Sequence, residues 1–333
     1  MLTVICPIYN EEKYIANCIE SVLEQDFPKD DLEALFVDGM STDKTREIVR
    51  DYARQYPCIH LLDNPEKIVP IAMNIGIRSS KGDIIIRMDA HAQYPNNYFS
   101  VLVDKLAKLD AENVGGVCRT VPVNDTPICQ AIAIALSSPF GMGNSYFRIG
   151  ANHEMEVDTV PFGCFKRDLF DRIGYYDEEL IRNQDDELNG RIIQNGGKIF
   201  LIPSIVVNYY ARDTIQKVGK MFYQYGLFKP LVNKKLGKPA TMRQFFPLGF
   251  VLGLIAGLIC CFVHPIFIGI YLFVLATYLV AAIAFSLKAT KSMGIIAYLI
   301  GTFFTIHVSY GWGYIRGIIK ILLNKNFVAK VNR

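Results

Sequence analysis

An acid and an imidazole stand two residues apart where an apolar run ends. The run Ile84–Met88 is followed by Asp89, and His91 comes two positions later. A carboxylate at the end of a strand and an imidazole aimed at the same point could hold a divalent cation. A turn-capping aspartate has the same pattern, so the spacing alone leaves metal binding and capping both open.

A cluster of carboxylates begins a later helical segment. The run Gln184–Leu188 contains Asp185, Asp186 and Glu187. Acidic side chains favour a helix N-terminus, because they complement the helix dipole. Neighbouring acids and burial can also raise the pKa of one carboxyl until it works as a general base. Capping and catalysis are both open at this point.

The segments around these residues alternate between β-branched runs and amphipathic stretches up to about residue 120. This alternation predicts a nucleotide-binding α/β domain, in which a parallel sheet is covered by helices. The predicted strands are Leu2–Cys6, Ala34–Asp38, Ile59–Leu62, Ile84–Met88 and Val114–Arg119. The predicted helices are Glu12–Gln25, Asp43–Tyr56, Val69–Ser79, Asn96–Leu109 and Asp185–Gln194. Loops after the carboxyl ends of such strands converge on ligands.

The last third of the chain is strongly apolar. The segments Phe245–Val263, Ile266–Leu287 and Gly294–Gly313 are each close to the roughly 20 residues that cross a bilayer core. The first two are predicted to form a hairpin entered from the cytosol, because Lys288 and Lys291 follow it. The third creates a conflict, since a spanning helix would put the basic tail outside and a re-entrant segment would keep it inside.

Basic side chains crowd the approach to these apolar segments. They suit an anionic leaflet or a phosphate-bearing lipid, but a solvated face explains them equally well. They are Arg212, Lys217, Lys220, Lys229, Lys234, Lys235, Lys238 and Arg243. A helix predicted over Thr214–Lys235 suits either a membrane surface or packing on the catalytic domain. The shorter run Ile128–Leu136 suits an interfacial or a core helix.

Composition bounds the function further. The chain has 333 residues, is 51% hydrophobic and carries a net charge of +3, which is too small to indicate nucleic-acid binding. The first residues lack a basic region and a cleavage site, so the first domain is expected to stay in the cytosol. The eight cysteines have no zinc spacing and are expected to be reduced thiols. No apolar segment carries a buried acid or a row of charges, which argues against a channel or transporter.

Taken in order, the motifs over about residues 1–205 resemble those of glycosyltransferase family 2. The quoted motifs are Pro7-Ile8-Tyr9-Asn10-Glu11, Val37–Asp43, Ala72–Gly76, Gly82-Asp83, Asp89-Ala90-His91, Phe162–Phe165 and Gln184–Arg191. They are most similar to membrane glycosyltransferases of the succinoglycan-biosynthesis type. The resemblance implies a GT-A fold, which is a Rossmann-like mixed sheet that binds a nucleotide-sugar, and a reaction that inverts the sugar.

The resemblance also implies roles for individual residues. Asp89 and His91 would hold Mg²⁺ or Mn²⁺ on the donor diphosphate. Asp185 would be the base that deprotonates the acceptor hydroxyl. The nucleotide pocket would contain Pro7, Tyr9, Glu11, Asp38, Lys67 and Asn74. The acceptor side would contain Gly163, Cys164 and Asp186, of which Asp186 is also the alternative base.

The sequence departs from the family pattern at two places. The family's Asp-x-Asp is Asp89-x-His91, which keeps a metal ligand with less negative charge and leaves the cation preference open. The Glu before the family's catalytic Asp is Gln184. The Gln-x-x-Arg-Trp motif of processive synthases is missing from the sequence, which favours addition of a single sugar.

The sequence therefore predicts an inverting, metal-dependent transferase that moves one sugar from a nucleotide-sugar, with UDP favoured, to a lipid-linked saccharide. A polyprenyl-phosphate glycosyltransferase and a non-catalytic membrane subunit that binds nucleotide-sugar are the alternatives. The expected segments are a catalytic domain at 1–205, an interfacial basic segment at 206–244, three membrane segments at 245–313 and a basic tail at 314–333. We expect an integral protein of a bacterial cytoplasmic membrane, with the catalytic domain in the cytoplasm.

Overall fold

The computed structural model describes residues 1–327 and contains two compact units. The first unit comprises Met1–Arg119 and Gly150–Tyr209, and the second comprises Thr120–Ile149 and the described residues from Tyr210 to 327. Of the predicted basic tail, Lys330 and Arg333 lie outside the described residues.

The first unit is built on a mixed sheet. In chain order the strands are β1 (Leu2–Ile8), β2 (Leu32–Asp38), β3 (Ile59–Asp63), β4 (Ile84–Arg87), β5 (Ala92–Gln93), β6 (Asn113–Val121), β7 (Met155–Glu156), β8 (Cys164–Lys166) and β9 (Ile199–Tyr210). Within residues 1–327 these nine strands follow the order β3-β2-β1-β4-β8-β6-β9-β5, with β7 paired to β9.

The strands at one side of this sheet run parallel. β1 pairs in parallel with both β2 and β4, and β2 pairs with β3. Every residue of β1 and β2 is buried, because helices cover both faces of a parallel sheet. β8 pairs antiparallel with β4 and β6, and β5 pairs antiparallel with β9. The predicted α/β class is therefore confirmed.

Four strands are not predicted by the sequence. β5 and β7 have 2 residues each and β8 has 3, which is too short for a hydrophobic period to show. β9 has 12 residues but contains Pro203, and a proline inside an apolar run argues against a strand.

Helices join these strands and form the second unit. In chain order they are α1 (Ile15–Leu23), α2 (Thr45–Gln55), α3 (Val69–Ser79), α4 (Tyr98–Lys108), α5 (Pro127–Leu136), α6 (Pro139–Met142), α7 (Tyr146–Ile149), α8 (Asp168–Ile173), α9 (Gln184–Gln194), α10 (Ile215–Leu236), α11 (Phe245–Cys261), α12 (Ile266–Ala289) and α13 (Met293–Leu322). α3 has its predicted bounds, whereas α1, α2 and α4 are shorter than predicted by a few residues, because terminal turns lack a periodic pattern.

The core of the second unit is formed by α5, α10, α12 and α13. Its buried side chains include Ile132, Leu136, Phe222, Leu299 and Phe303. The apolar run in α5, for which interfacial and core positions were both open, therefore forms a core helix.

Three helices are long and apolar enough to cross a membrane. Within residues 1–327 they are Met242–Cys261, Ile266–Ala289 and Met293–Leu322. They coincide with the three predicted apolar segments. The third is one continuous helix of 30 residues that runs past the predicted end at Gly313.

Candidate active site

Asp89 and His91 lie beyond the carboxyl end of β4, where their side chains are adjacent. Asp89 Oδ1 lies 3.1 Å from His91 Nδ1. A third group comes from the loop after β1, because Glu11 Oε1 lies 3.4 Å from the same nitrogen. Glu11 is buried, whereas Asp89 and His91 are partly exposed. The structure thus adds an acid from a distant segment to the predicted pair.

The two carboxylates constrain how the imidazole uses its nitrogens. Nδ1 of His91 faces an acceptor oxygen of Asp89 and one of Glu11, so it serves there as the donor. Carboxylate and imidazole ligands fit Mn²⁺ well and Mg²⁺ less well. Within residues 1–327 no three His, Cys, Asp or Glu groups form a metal cluster by themselves, so a cation would take further ligands from the donor or water.

Asp185 is held by an arginine that the sequence interpretation did not single out. Arg87 ends β4, and its Nη1 donates to Asp185 Oδ1 at the start of α9. Burial by itself would lower the pKa of Arg87, but the charge of Asp185, with smaller effects from Tyr176 and Asp89, raises that pKa above its usual value. The Arg87 side chain is 10% exposed and that of Asp185 is 32% exposed.

Arg87 connects the two halves of the site. Asp89 follows two residues after Arg87, beyond the end of β4, and its charge contributes to the raised pKa of Arg87. This short segment therefore contacts Asp185 through Arg87 and carries the Asp89–His91 pair just beyond it. The sequence does contain a signal for this contact. Arg87 is a charged residue inside the apolar run of β4, and an arginine at such a position needs a buried partner.

The acidic residues at the start of α9 have different contacts. Glu187 is buried and binds Arg191 one turn later, with 2.6 Å between Oε1 and Nε. Arg191 also donates to the backbone carbonyls of Ile173 and Gly174, at 2.7 and 3.0 Å. Glu187 is therefore structural, whereas Asp185 faces Arg87. Asp186 follows in the first turn of α9, where acids are favoured.

Asp38 ends β2 and is completely buried. Its Oδ2 lies 2.5 Å from Arg46 Nη1 and accepts from Ser41 N at 2.9 Å. Arg46 also binds Asp63 at the end of β3, at 2.7 Å. Both contacts raise the pKa of Arg46, the larger effect coming from its hydrogen bond to Asp38. The carboxyl ends of β2 and β3 are thus joined through one guanidinium.

Most of the other predicted nucleotide-binding residues lie at the same end of the sheet as Asp38. Pro7 stands opposite Val37 in the register of β1 with β2. Lys67 Nζ lies 5.9 Å from the centroid of the Tyr9 ring. Lys67 itself has φ = 61°, a left-handed backbone that is uncommon for a side-chain-bearing residue. The structure therefore places Pro7, Tyr9, Glu11, Asp38 and Lys67 at the carboxyl ends of β1 and β2 or in the loops that follow β1 and β3.

Asn74 has a different environment. It is buried on α3, and its Nδ2 donates to Tyr176 O at 2.9 Å and to Glu178 Oε1 at 2.8 Å. Its Oδ1 accepts from Tyr176 N at 2.9 Å. This amide ties α3 to the loop before α9, and a nucleotide contact for it stays a prediction.

Gly163 and Cys164 lie behind Arg87 in the sheet. Arg87 N donates to Gly163 O at 3.0 Å, and a Cβ at Gly163 would overlap the Asn113 side chain. Cys164 is completely buried on β8, and burial raises the pKa of its thiol. Both residues support the strand that carries Arg87. Their contact with an acceptor stays a prediction.

The sequence matches a known protein family. The profile described as glycosyl transferase family 2 matches residues 3–174. The chain belongs to glycosyl transferase family 2. It is therefore a glycosyltransferase, as its motifs predict.

Two relatives extend the similarity beyond the matched segment. Across 96% of this chain and 97% of the relative, the chain is 27% identical to the dolichyl N-acetyl-alpha-D-glucosaminyl phosphate 3-beta-D-2,3-diacetamido-2,3-dideoxy-beta-D-glucuronosyltransferase of Methanococcus voltae. It is 30% identical to the succinoglycan biosynthesis protein ExoA of Rhizobium meliloti, over 74% of each chain. The predicted similarity to proteins of the succinoglycan type is confirmed.

A solved structure shows the same fold. The mannosyltransferase PcManGT from Pyrobaculum calidifontis, in complex with GDP-Man and Mn²⁺, superposes with a TM-score of 0.63 at 21% identity. The match covers 97% of this chain and 87% of that one. The GT-A fold predicted for the nucleotide-sugar-binding domain is therefore confirmed, and apolar helices follow it along the chain.

Proposed function

We propose that this glycosyltransferase moves one sugar from a UDP-sugar to a hydroxyl of a lipid-linked saccharide, with inversion and with a divalent cation. The observation that carries the proposal is the position of Arg87. It binds Asp185 and lies two residues before Asp89, so one short segment connects the proposed base to the proposed metal site.

The donor diphosphate is assigned to the Asp89–His91 pair. Asp89 and His91 would hold Mg²⁺ or Mn²⁺, and the cation would neutralise charge that develops on the leaving diphosphate. Glu11 lies beside His91 Nδ1 and adds a negative charge next to this pair. The nucleoside is assigned to the neighbouring loops that carry Tyr9 and Asp38.

The base is assigned to Asp185. Its contact with Arg87 holds this carboxyl group in one orientation, from which it would take a proton from an acceptor hydroxyl. The oxygen of that hydroxyl would attack the anomeric carbon from the side opposite the diphosphate, and this direction inverts the sugar. Proton transfer to a positioned base contributes about 10²- to 10⁴-fold to the rate of such reactions.

The acceptor is assigned from the relatives and the apolar helices. The Methanococcus relative is named for action on a dolichyl phosphate-linked sugar and the Rhizobium relative for succinoglycan biosynthesis. A chain with three helices long enough for a bilayer would meet acceptors of that kind at a membrane. We place it in the cytoplasmic membrane, with the catalytic segment at 1–205 in the cytoplasm and the basic segment at 206–244 at the membrane surface.

The test uses membranes that contain the chain, a panel of UDP- and GDP-sugars, Mg²⁺ or Mn²⁺, and a lipid-linked saccharide extract. Released nucleoside diphosphate is measured for the wild type, Asp185→Asn and Asp186→Asn. We expect acceptor-dependent, metal-dependent release with a UDP-sugar that falls about 10²-fold or more in Asp185→Asn. The neighbouring Asp186→Asn should keep most of it.

Other results would redirect the proposal. Release that is lost in Asp186→Asn and kept in Asp185→Asn would move the base to Asp186. Release that depends on added polyprenyl phosphate, with a mild effect of Asp185→Asn, would support transfer to a phosphate oxygen. If a GDP-sugar were the active donor, only the UDP assignment would change and the rest of the proposal would stand. This outcome is included because PcManGT is in complex with GDP-Man.

A further inference from the structure

Helices α10 and α13 run side by side in the same direction. Glycines at their contact let the two backbones approach closely, since a Cβ on Gly219 would come within 3.0 Å of Thr305 Cγ2 and one on Gly226 would overlap the Tyr310 carbonyl. The contact continues towards the ends of both helices. In order, the facing pairs are Gly219 with Thr305, Gly226 with Tyr310 and Pro230 with Gly317.

The polar character of α10 limits where this pair can lie. Its 22 residues include five lysines, and Lys217, Lys220 and Lys234 are exposed. Lysine is among the side chains least tolerated in the hydrocarbon core, so α10 belongs outside it. The part of α13 that lies beside α10, from Thr305 onward, belongs outside it as well.

The rest of α13 is too short to cross. From Met293 to Phe304 there are about 12 residues, which extend roughly 18 Å at 1.5 Å per residue. A hydrocarbon core is about 30 Å thick. Length and composition alone make α13 a candidate span, but its partner helix argues that it does not cross the bilayer.

The distribution of charge leads to the same conclusion independently. After Asp213 the chain contains no Asp or Glu and fourteen Lys and Arg residues. None of the fourteen lies between Arg243 and Lys288, the segment that holds α11 and α12. Basic residues that flank membrane segments favour one side of the bilayer. All fourteen can lie on that side only if α11 and α12 enter and return while α13 stays out.

The hairpin of α11 and α12 has the surface expected of a membrane segment. Large apolar side chains are exposed along its outer part, between Leu252 and Val274. α11 contacts α13 near its own start, where Phe250 lies 6.3 Å from His307 between ring centroids. Beyond that contact the hairpin presents its apolar side chains outward.

We propose that the α11–α12 hairpin alone enters the hydrocarbon core, and that α10 and α13 lie together on the bilayer face from which the hairpin enters. The lipid surface is thus the partner of the α10–α13 pair. The end of the chain stays on the side of α10, which removes the conflict between the third apolar helix and its basic tail. This proposal does not depend on the roles given to Asp89 or Asp185.

The test is the sidedness of the two ends of the full chain. Different epitope tags are fused before Met1 and after Arg333, and sealed membrane vesicles of inside-out and right-side-out orientation are treated with protease. Because residues 1–241 of the described chain contain no candidate span, the first tag reports the side of α10. A control chain carries one added single-span helix before the second tag.

We expect both tags to be digested in inside-out vesicles and both to be protected in right-side-out vesicles. In the control chain the second tag should show the opposite pattern, which proves that the assay detects a crossing. Digestion of the two tags in opposite vesicle types, without the added helix, would show that α13 crosses and would overturn the proposal.

Discussion

Replacing Arg87 by methionine should disable the site by releasing Asp185 and should leave the fold in place. Methionine fills a similar volume and keeps the apolar contacts of β4, but it removes the guanidinium that donates to Asp185 Oδ1. The carboxylate is 32% exposed, so it can turn to water once the arginine is gone. We expect the chain to stay folded and the proposed base to lose its fixed orientation.

The size of the effect follows from the geometry. Two opposite unit charges about 4 Å apart attract by about 4 kcal/mol at an effective dielectric constant of 20. Because solvent reaches about a third of the Asp185 side chain, we reduce this to about 2–3 kcal/mol. At 1.4 kcal/mol per factor of ten, the expected loss in kcat is roughly 30- to 140-fold.

A double-mutant cycle measures this coupling directly. The sugar-transfer rate is compared for wild type, Arg87→Met, Asp185→Asn and the double variant, with Arg87→Lys as the charge-conserving control. In the Asp185→Asn background, Arg87→Met should cost less than about threefold, because the group that it positions is already disabled. Arg87→Lys should recover part of the rate. Multiplicative losses in the double variant, with no recovery by lysine, would refute the coupling.

Two further variants test the metal side and the helix pair. Glu11→Gln removes a negative charge beside His91 Nδ1 and should raise the Mn²⁺ concentration for half-maximal transfer about 10-fold or more, whereas exposed Glu12→Gln should not; equal Mn²⁺ curves for the two would contradict the role assigned to Glu11. Gly313→Leu places a side chain against the Tyr223 carbonyl and should destabilise the detergent-purified chain by about 1–3 kcal/mol or more, measured as a lower thermal midpoint. Gly301→Leu is the control, because a Cβ at Gly301 meets nothing within 4 Å, and it should be neutral or stabilising. If the Gly313→Leu chain were as stable as the Gly301→Leu chain, close packing of α10 on α13 would be wrong.

The sequence predicts best what is local along the chain. Asp89 and His91 are two residues apart at the end of one strand, so their proximity follows from their spacing. α3 has its predicted bounds because its apolar positions recur through its whole length. The family motifs then assign the fold, since their order along the chain is specific although each motif alone is weak.

Contacts between distant segments could not be predicted in this way. Glu11 reaches His91 only because β1 and β4 are neighbours in the sheet, and strand order is not contained in periodicity. The same holds for Arg87 and Asp185, which are 98 positions apart in the chain. The close approach of α10 to α13 depends on glycines in both helices. In the sequence of one helix, such glycines are compatible with helix packing or with a broken span, so they do not identify the partner helix.

We propose that this chain attaches a sugar to a lipid-linked acceptor with Asp185 as the base. The direct measurement is the transfer of radiolabelled sugar from a UDP-sugar into the organic-extractable lipid fraction of membranes that contain the wild type or Asp185→Asn. We expect Mn²⁺- or Mg²⁺-dependent labelling of a lipid-linked saccharide by the wild type and a loss of about 10²-fold in the variant. Equal labelling by the two proteins would contradict the role of Asp185, and unlabelled lipid with every donor that binds would contradict the transfer itself.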